Sequence, residues 1–242
     1  MNGKLVKLKD VVSWERGLTY SKKDEVKSNG IPVLRATNIN LESHKIILNE
    51  IRFISKSVKI KKEKYVEKGD ILICTASGSK IHLGKVALIE QNLNMAFGGF
   101  MAVLKCTKDC NSKFLYYHLT SPKFKKHLSL LNDGANINNL KFSQIEDYEF
   151  FLPSIIEQKQ TVVKLNKLYG EIDAQIRLLE KKSKNTLTFL NQLLNTVKGN
   201  RTKLDNLISI KTGKLDSNAM VDGGKYPFFT CSKQIFNIDS FA

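Results

Sequence analysis

Polar and basic side chains that could contact nucleic acid fall in three short stretches of the chain. Arg and Lys pair with phosphates and guanine, and Asn pairs with adenine, so these types on loops can both position a protein on a duplex and discriminate its base pairs. A glycine in the third stretch, Gly78, would let the backbone approach DNA closely. The candidate contacts are Tyr20, Lys22 and Lys23, then Arg35, Thr37 and Asn38, then Ser77, Ser79, Lys80 and Lys85.

The charge of the chain agrees with a polyanionic partner. The formal net charge is +16 over 242 residues, and residues 1–154 hold +10 of it. Such an excess favours nucleic acid or an anionic membrane, and no terminal basic amphipathic helix favours the membrane. One basic run is a candidate for phosphate contacts, although a solvated charged face would look the same. It comprises Arg52, Lys56, Lys59, Lys61, Lys62, Lys64 and Lys68.

Composition also bears on the compartment of the protein. No apolar run approaches the ~18 residues of a membrane-spanning helix, and the first residues lack the apolar block of a signal peptide. The four cysteines are scattered without the spacing of a disulfide framework. We therefore expect a cytoplasmic protein.

Signatures of catalysis and of metal binding are weak. The chain has no Pro-Pro pair, so it lacks the Asn/Asp-Pro-Pro-aromatic motif of amino-methyltransferases, and 97–100 (Phe-Gly-Gly-Phe) is not a convincing cofactor loop. Glu25 and Lys27 have the Glu-x-Lys spacing of some nucleases, which leaves a self-sufficient nuclease as an alternative. A zinc site using Cys106, Cys110, His118 and His127 would match no familiar ligand spacing.

Residues 1–153 have the pattern of a mixed α and β domain. Short apolar runs bounded by turn residues predict strands at 31–35, 46–48, 71–74, 86–89, 100–104 and 148–153. Asn111 or Ser112 would cap a first helix, Ser121-Pro122 opens a second, and 143–146 forms a short turn. The predicted fold class is α+β.

A long helix is predicted from 154 to 199. Ser154 and Glu157 fit a capping box at its start, and Gly199 is a candidate left-handed cap at its end. Apolar residues at steps of three and four are typical of a helix that packs along a partner helix, although an amphipathic helix lying on a globular core is the alternative. The predicted contacts to a partner helix are Leu165, Tyr169, Ile172, Ile176, Leu179, Leu190, Leu193 and Val197.

The C-terminal residues repeat the beginning of the chain. The segment 204–213 resembles 8–17, and 224–229 resembles 30–34, at offsets of 196 and 195 residues. A repeat at this distance indicates that a domain-plus-spacer unit begins again. We expect 200–242 to be an incomplete second domain that cannot bury a core of its own.

These features together resemble the specificity (S) subunit of type I restriction-modification systems. The resemblance runs through 30–39, 69–73, 81–87 and 151–159, and it covers 1–199 as one unit and 200–242 as the start of a second. It implies a DNA target-recognition domain at 1–153, a spacer and dimerisation helix at 154–199, and an incomplete recognition domain at 200–242. Family members normally have two complete domains.

The resemblance also implies what the chain does and with which partners. It implies a non-catalytic, sequence-specific subunit that reads one half of a bipartite site in double-stranded DNA and docks methylation (M) subunits and, through them, a restriction (R) subunit. The chain itself would need no cofactor, because S-adenosylmethionine, ATP and Mg would belong to those partners. A homodimer, a second half-S subunit and a non-functional gene remnant stay open as alternatives.

Overall fold

This computed structural model describes residues 3–78, 82–132, 139–199, 202–209, 217–231 and 234–239. These residues contain twelve strands and four α-helices. The strands are β1 (Gly3–Lys7), β2 (Val12–Arg16), β3 (Glu25–Val26), β4 (Ile31–Leu34), β5 (Arg52–Ile54), β6 (Ile71–Cys74), β7 (Val86–Leu88), β8 (Ala96–Phe97), β9 (Met101–Cys106), β10 (Glu149–Pro153), β11 (Tyr226–Phe228) and β12 (Phe236–Ile238). The helices are α1 (Ser112–Leu119), α2 (Pro122–Asn132), α3 (Phe142–Glu146) and α4 (Ile155–Thr196). The predicted α+β class is confirmed.

Two four-stranded sheets form the centre of the N-terminal part. One is antiparallel with the order β2-β9-β6-β7, and the other has the order β3-β5-β4-β8 with a parallel pair between β4 and β8. Both faces of β6 are buried, which is why 71–74 reads as an unbroken apolar run and not as an alternation. A separate antiparallel pair joins β1 to β10, with Leu5 opposite Phe151.

The core is divided by the first sheet into two layers. On one side, Ile71, Ile73 and Leu104 pack with residues of α1, α2 and β10, including Phe114 and Phe124. On the other side, Leu72 and Val103 of the first sheet pack with Leu34 and Phe97 of the second sheet. The order of layers is therefore helices, sheet and sheet, and all the side chains named here are nearly or fully buried.

Several predicted boundaries are confirmed. The Asn111 side chain accepts a hydrogen bond from the Phe114 amide (3.0 Å) and so caps α1. The capping box of α4 is present, because the Ser154 amide donates to Glu157 Oε2 (3.1 Å) and the Glu157 amide donates to Ser154 Oγ (3.3 Å). The sequence predicts these helix starts correctly because a cap depends on residues only three positions apart.

Two other predicted features are wrong. Helix α4 ends at Thr196, three residues before the predicted end, and Gly199 does not adopt the left-handed conformation of a cap. The run 46–48 forms no strand, and only an isolated bridge joins Ile46 to Ile39. Loop hydrogen bonds around Asn38 occupy this segment instead, since the Ile47 amide donates to the Asn38 carbonyl oxygen (2.9 Å).

The chain packs as two compact units, Met1–Arg177 and Leu178–Ala242. The second unit contains the end of α4, two 3-10 turns and the antiparallel pair β11–β12. The predicted repeat has matching local structure: 3-10 turns at Leu8–Asp10 and Leu204–Asn206, and strands at Ile31–Leu34 and Tyr226–Phe228. Among the described residues of 200–242, Ile238 alone is buried.

Candidate nucleic-acid interface

Three loops meet at one edge of the first sheet. Strand β2 ends at Arg16, β6 ends at Cys74, and β9 begins at Met101. Because β9 runs antiparallel to both neighbours, Arg16 pairs with Ala102 and Cys74 pairs with Met101. The loops 17–20, 75–78 and 98–100 therefore leave the sheet side by side.

The loops 17–20 and 98–100 are in direct backbone contact. The Gly17 amide donates to the Met101 carbonyl oxygen (2.9 Å), and the Leu18 amide donates to the Phe97 carbonyl oxygen (2.7 Å). A Cβ atom on Gly17 would overlap the carbonyl oxygen of Gly98. The close approach thus requires glycine at position 17.

Arg35 and Tyr20 belong to the same region. The Gly98 amide donates to the Leu34 carbonyl oxygen (2.9 Å), and Arg35 Cγ lies 3.8 Å from where a Cβ of Gly98 would be. Burial raises the pKa of the half-buried Tyr20 phenol, Glu25 adds to the rise, and the charge of Arg35 opposes it. Tyr20 and Arg35 are therefore electrostatic neighbours.

The loop 75–78 is held against the loop 98–100. The amides of Thr75 (2.9 Å) and Ala76 (3.2 Å) donate to the carbonyl oxygen of Phe100, and Ala76 forms an isolated bridge with Asn139. Ser77 follows directly and is half-buried. The predicted contacts Ser79 and Lys80 lie outside the described residues.

The lysines of the first stretch are on the surface. Lys22 and Lys23 are exposed in a 3-10 turn, which the Ser21 amide closes by donating to Asp24 Oδ2 (2.8 Å). Thr37 is exposed in the 3-10 turn 36–38. All three side chains are therefore accessible to a partner.

Asn38, predicted as a base contact, is a structural residue. It is 1% exposed, its Oδ1 accepts from the Arg35 amide (3.0 Å), and its Nδ2 donates to the carbonyl oxygens of Ile47 and Asn49 (both 3.1 Å). Its amide group therefore organises the loop 35–49. The same composition that suggests adenine recognition also suits loop closure.

Lys85, also predicted to contact DNA, lies inside the domain. It is 6% exposed, and its Nζ donates to the carbonyl oxygen of Ile39 (2.9 Å). Burial lowers the pKa of its ammonium group. We therefore remove Asn38 and Lys85 from the set of proposed DNA contacts.

The basic run at 52–68 is only partly available to phosphates. Arg52 lies 3.6 Å from Glu25, and Lys64 forms an ion pair with Glu15 and donates to the Arg16 carbonyl oxygen (2.9 Å). The other five members of the run are exposed: Lys56, Lys59, Lys61, Lys62 and Lys68.

The sequence did not lead us to predict a role for two residues at this edge, Arg16 and Phe100. The Arg16 guanidinium lies over the Phe142 ring, 4.5 Å from its centroid, and Trp14 stacks on the same ring at 4.6 Å. Phe100 follows the two glycines of the 98–100 loop and is 71% exposed. The signal for Arg16 was the alternation of Val12, Trp14 and Arg16 along β2, which places them on one face.

Helix α4 is attached to the first unit by polar contacts along one face. Gln158 is fully buried, its Oε1 accepts from the Asn111 amide (2.7 Å), and its Nε2 donates to the carbonyl oxygens of Asp109 and Pro153 (both 2.9 Å). Further along, Asn166 Oδ1 accepts from the Tyr117 hydroxyl (2.7 Å).

The predicted partner-helix residues divide into three groups. Leu165 is half-buried, and Tyr169 stacks on Tyr117 of its own unit with ring centroids 5.4 Å apart. Val197 lies one residue beyond the end of the helix. The others are about half exposed or more: Ile172, Ile176, Leu179, Leu190 and Leu193.

The residues of the zinc alternative are occupied in other ways. His118 packs between the rings of Phe114 and Phe150 (centroids 4.8 Å from each), and His127 packs against Tyr148 (5.3 Å). In the described ranges, no group of three or more His, Cys, Asp and Glu side chains is placed to hold a metal ion. Nor does any helix in these ranges combine the length and apolarity needed to cross a membrane.

Comparison with known proteins identifies the class. The model of the family described as "Type I restriction modification DNA specificity domain" matches residues 2–188. The chain therefore belongs to this family.

Two curated relatives are specificity subunits. The chain is 32% identical over 162 residues to the type I restriction enzyme EcoKI specificity subunit of Escherichia coli (strain K12), covering 66% of this chain and 34% of the relative. It is 30% identical over 168 residues to the StySPI specificity subunit of Salmonella potsdam, covering 68% and 36%. The chain thus spans about a third of the length of these relatives.

Solved structures share the fold. The HsdS subunit from Thermoanaerobacter tengcongensis matches with a TM-score of 0.52 and 18% identity, over 72% of this chain and 39% of that chain. A chain from a structure of type I R-M system assembly matches with a TM-score of 0.56 and 17% identity, over 79% and 43%. The nuclease alternative based on Glu25 and Lys27 gains no support from these comparisons.

Proposed function

We propose that this chain is a sequence-specific, non-catalytic DNA-binding subunit of a cytoplasmic type I restriction-modification complex. The observation that carries the proposal is the convergence of three loops at one sheet edge, with Thr19 and Arg35 beside the 98–100 loop and Tyr20 close to Arg35. Loops positioned by a rigid sheet are a common way to present base-reading side chains. Lys22, Lys23 and the exposed lysines of 56–68 would supply phosphate contacts.

The unit reads one half of a bipartite site in this proposal. Its catalytic partners are methylation subunits and, through them, a restriction subunit, and these would bind S-adenosylmethionine, ATP and Mg. The family membership and the names of the relatives support this assignment. Domain boundaries of 1–153, 154–199 and 200–242 go with it, with the last range as an incomplete second recognition domain.

Helix α4 is the proposed assembly element. Its 42 residues correspond to about 63 Å at 1.5 Å per residue. Ile172, Ile176 and Leu179 continue the 3.5-residue period along α4 and are 48–64% exposed. A second copy of this chain, paired in two-fold symmetry along this apolar row, would place identical readers on an inverted-repeat site; a separately encoded half-S subunit is the other candidate.

Two measurements test this function. The purified chain should bind duplex DNA with an affinity that falls steeply with salt, and it should neither methylate nor cleave DNA. Mapping of methylated bases in cells with and without the gene should show one bipartite site that depends on it. Cleavage by the pure chain in magnesium, or identical methylation in both strains, would contradict the proposal.

A further inference from the structure

Phe100 combines a fixed backbone with an open side chain. Its carbonyl oxygen accepts three hydrogen bonds: from the Thr75 amide (2.9 Å), the Ala76 amide (3.2 Å) and the Thr75 hydroxyl (3.2 Å). Its side chain is nevertheless 71% exposed, the largest value for any aromatic residue in the described ranges. A single exposed apolar residue is ordinary on a protein surface, and here hydrogen bonds hold the backbone that carries it.

The turn that carries Phe100 is as firmly held as the residue itself. The Met101 amide donates back to the Gly98 carbonyl oxygen (2.8 Å) and closes the turn, and the Gly98 amide donates to Leu34 (2.9 Å). Gly98 and Gly99 have no side chains, so the ring of Phe100 is the bulky group at this tip. Such preorganisation lowers the entropy that binding costs.

The neighbours of this turn are polar. The Thr19 hydroxyl oxygen lies 3.3 Å from the position that a Cβ of Gly99 would take, and Arg35 Cγ lies 3.8 Å from the corresponding position at Gly98. Hydroxyl and guanidinium groups can read donors and acceptors on base edges. A phenyl ring has neither donor nor acceptor, so it discriminates between base pairs only through an apolar group. The C5-methyl of thymine is that group in the major groove.

We propose that Phe100 is a specificity-determining residue that contacts the C5-methyl group of a thymine in the recognised half-site. This rests on the proposed function, because it assumes that the edge formed by the three loops faces duplex DNA. Arg35 and Thr19 read polar base edges beside the same thymine, and the lysines hold the phosphates. The ring thereby favours A·T over G·C at one position of the half-site.

Uracil substitution isolates the contact. The full-length chain is first used to select its site from a random duplex pool. Each thymine of the selected site is then replaced singly by uracil, which keeps every hydrogen-bonding group and removes only the methyl. With wild-type protein we expect one such probe to bind about fourfold more weakly, the effect of losing one buried methyl-sized group. Phe100→Ala should bind the thymine and uracil probes equally.

A matched variant controls for general effects. Phe229 is 70% exposed in the second unit, so Phe229→Ala makes the same chemical change at the same exposure and should keep the fourfold discrimination. Thermal unfolding of Phe100→Ala should match that of the wild type, since the ring is exposed and the hydrogen bonds involve only its backbone oxygen.

The outcomes separate this inference from the proposed function. If wild-type protein selects no sequence, both fail. If it selects a site that contains no thymine, or if uracil substitution has no effect, the inference alone fails. If Phe100→Ala binds both probes more weakly by the same factor, and so keeps the fourfold difference between them, the methyl contact is also overturned. That result would indicate a ring inserted into the base stack.

Discussion

The ring of Tyr169 in helix α4 stacks on the ring of Tyr117 in helix α1, with planes 1° apart and centroids 5.4 Å apart. The Tyr117 hydroxyl also donates to Asn166, one turn earlier in α4. Tyr169 belongs to the apolar period that predicted a partner helix, yet within this chain it is already engaged. Tyr169 keeps 52% of its surface exposed, and we place the proposed partner contacts from Ile172 onward.

Charge placed in that row should prevent assembly without unfolding the protein. Ile172 and Ile176 are 49% and 48% exposed, so aspartate at both positions loses little packing in the isolated chain. We expect Ile172→Asp/Ile176→Asp to be monomeric under conditions in which the wild type associates, as measured by light scattering. Leu168→Asp, equally apolar and 54% exposed but outside the period, is the control and should still associate. A wild type that is monomeric both alone and with the methylation subunit would contradict the assembly proposal.

Gln158 should be essential for attaching α4 to its domain. Gln158→Leu keeps the volume but leaves the Asn111 amide and the carbonyl groups of Asp109 and Pro153 without their partner. Buried unsatisfied groups cost about 1–3 kcal/mol each, so we expect a loss of about 3 kcal/mol in the free energy of unfolding, measured in urea. Gln160→Leu, an exposed glutamine on the same helix, should change it by less than about 0.5 kcal/mol. Equal stability of the two variants would refute the role of Gln158.

The lysines at 22 and 23 should contribute to affinity through phosphates and not through sequence. Each phosphate contact adds about 0.9 to the slope of log K against log salt. Lys22→Ala/Lys23→Ala should therefore reduce the slope by about 1.8 and weaken binding to specific and random duplexes alike. Lys181→Ala/Lys182→Ala makes the same charge change in the exposed helix of the second unit and should leave the slope unaltered. Fluorescence anisotropy at four or five salt concentrations measures both.

Stability should depend on pH through His118. Burial between Phe114 and Phe150 lowers the pKa of His118 to about 4, and the charge of Lys123 acts in the same direction. The unfolded chain binds this proton near pH 6.5, whereas the folded chain binds it only near pH 4. The stability that neutral His118 contributes is therefore fully present above pH 6.5 and declines as the pH falls towards 4. We expect the wild type to lose about 1–2 kcal/mol more than His118→Leu between pH 7 and pH 5. The two unfolding curves should run parallel above pH 7, and parallel behaviour down to pH 5 would contradict the assignment.

The fold was predictable from the sequence where it depends on neighbouring residues. The apolar run 71–74, the Asn111 cap and the Ser154–Glu157 box each depend on a few adjacent positions, and each lies where predicted. The pairing of β1 with β10 joins residues that lie almost 150 positions apart in the sequence, so no local sequence pattern predicts it.

The candidate site was harder to predict because exposure depends on tertiary structure. Asn38 and Lys85 have the side chains of DNA contacts, but the loop 35–49 and the core enclose them. Phe100 has the side chain of a core residue, yet its turn leaves it in solvent. In both cases the residue type predicted the wrong exposure to solvent, because the surrounding backbone determines that exposure.

The mutual fit of Gly17 and Gly98 has an evolutionary consequence. With no room for a side chain between these two backbones, the spacing of their loops cannot vary by substitution at position 17. The positions that flank the contact carry Thr19, Arg35 and Phe100, whose outer atoms do not support it. Under the proposed function, new target preferences would therefore arise by exchanging these side chains while the backbone that carries them stays unchanged.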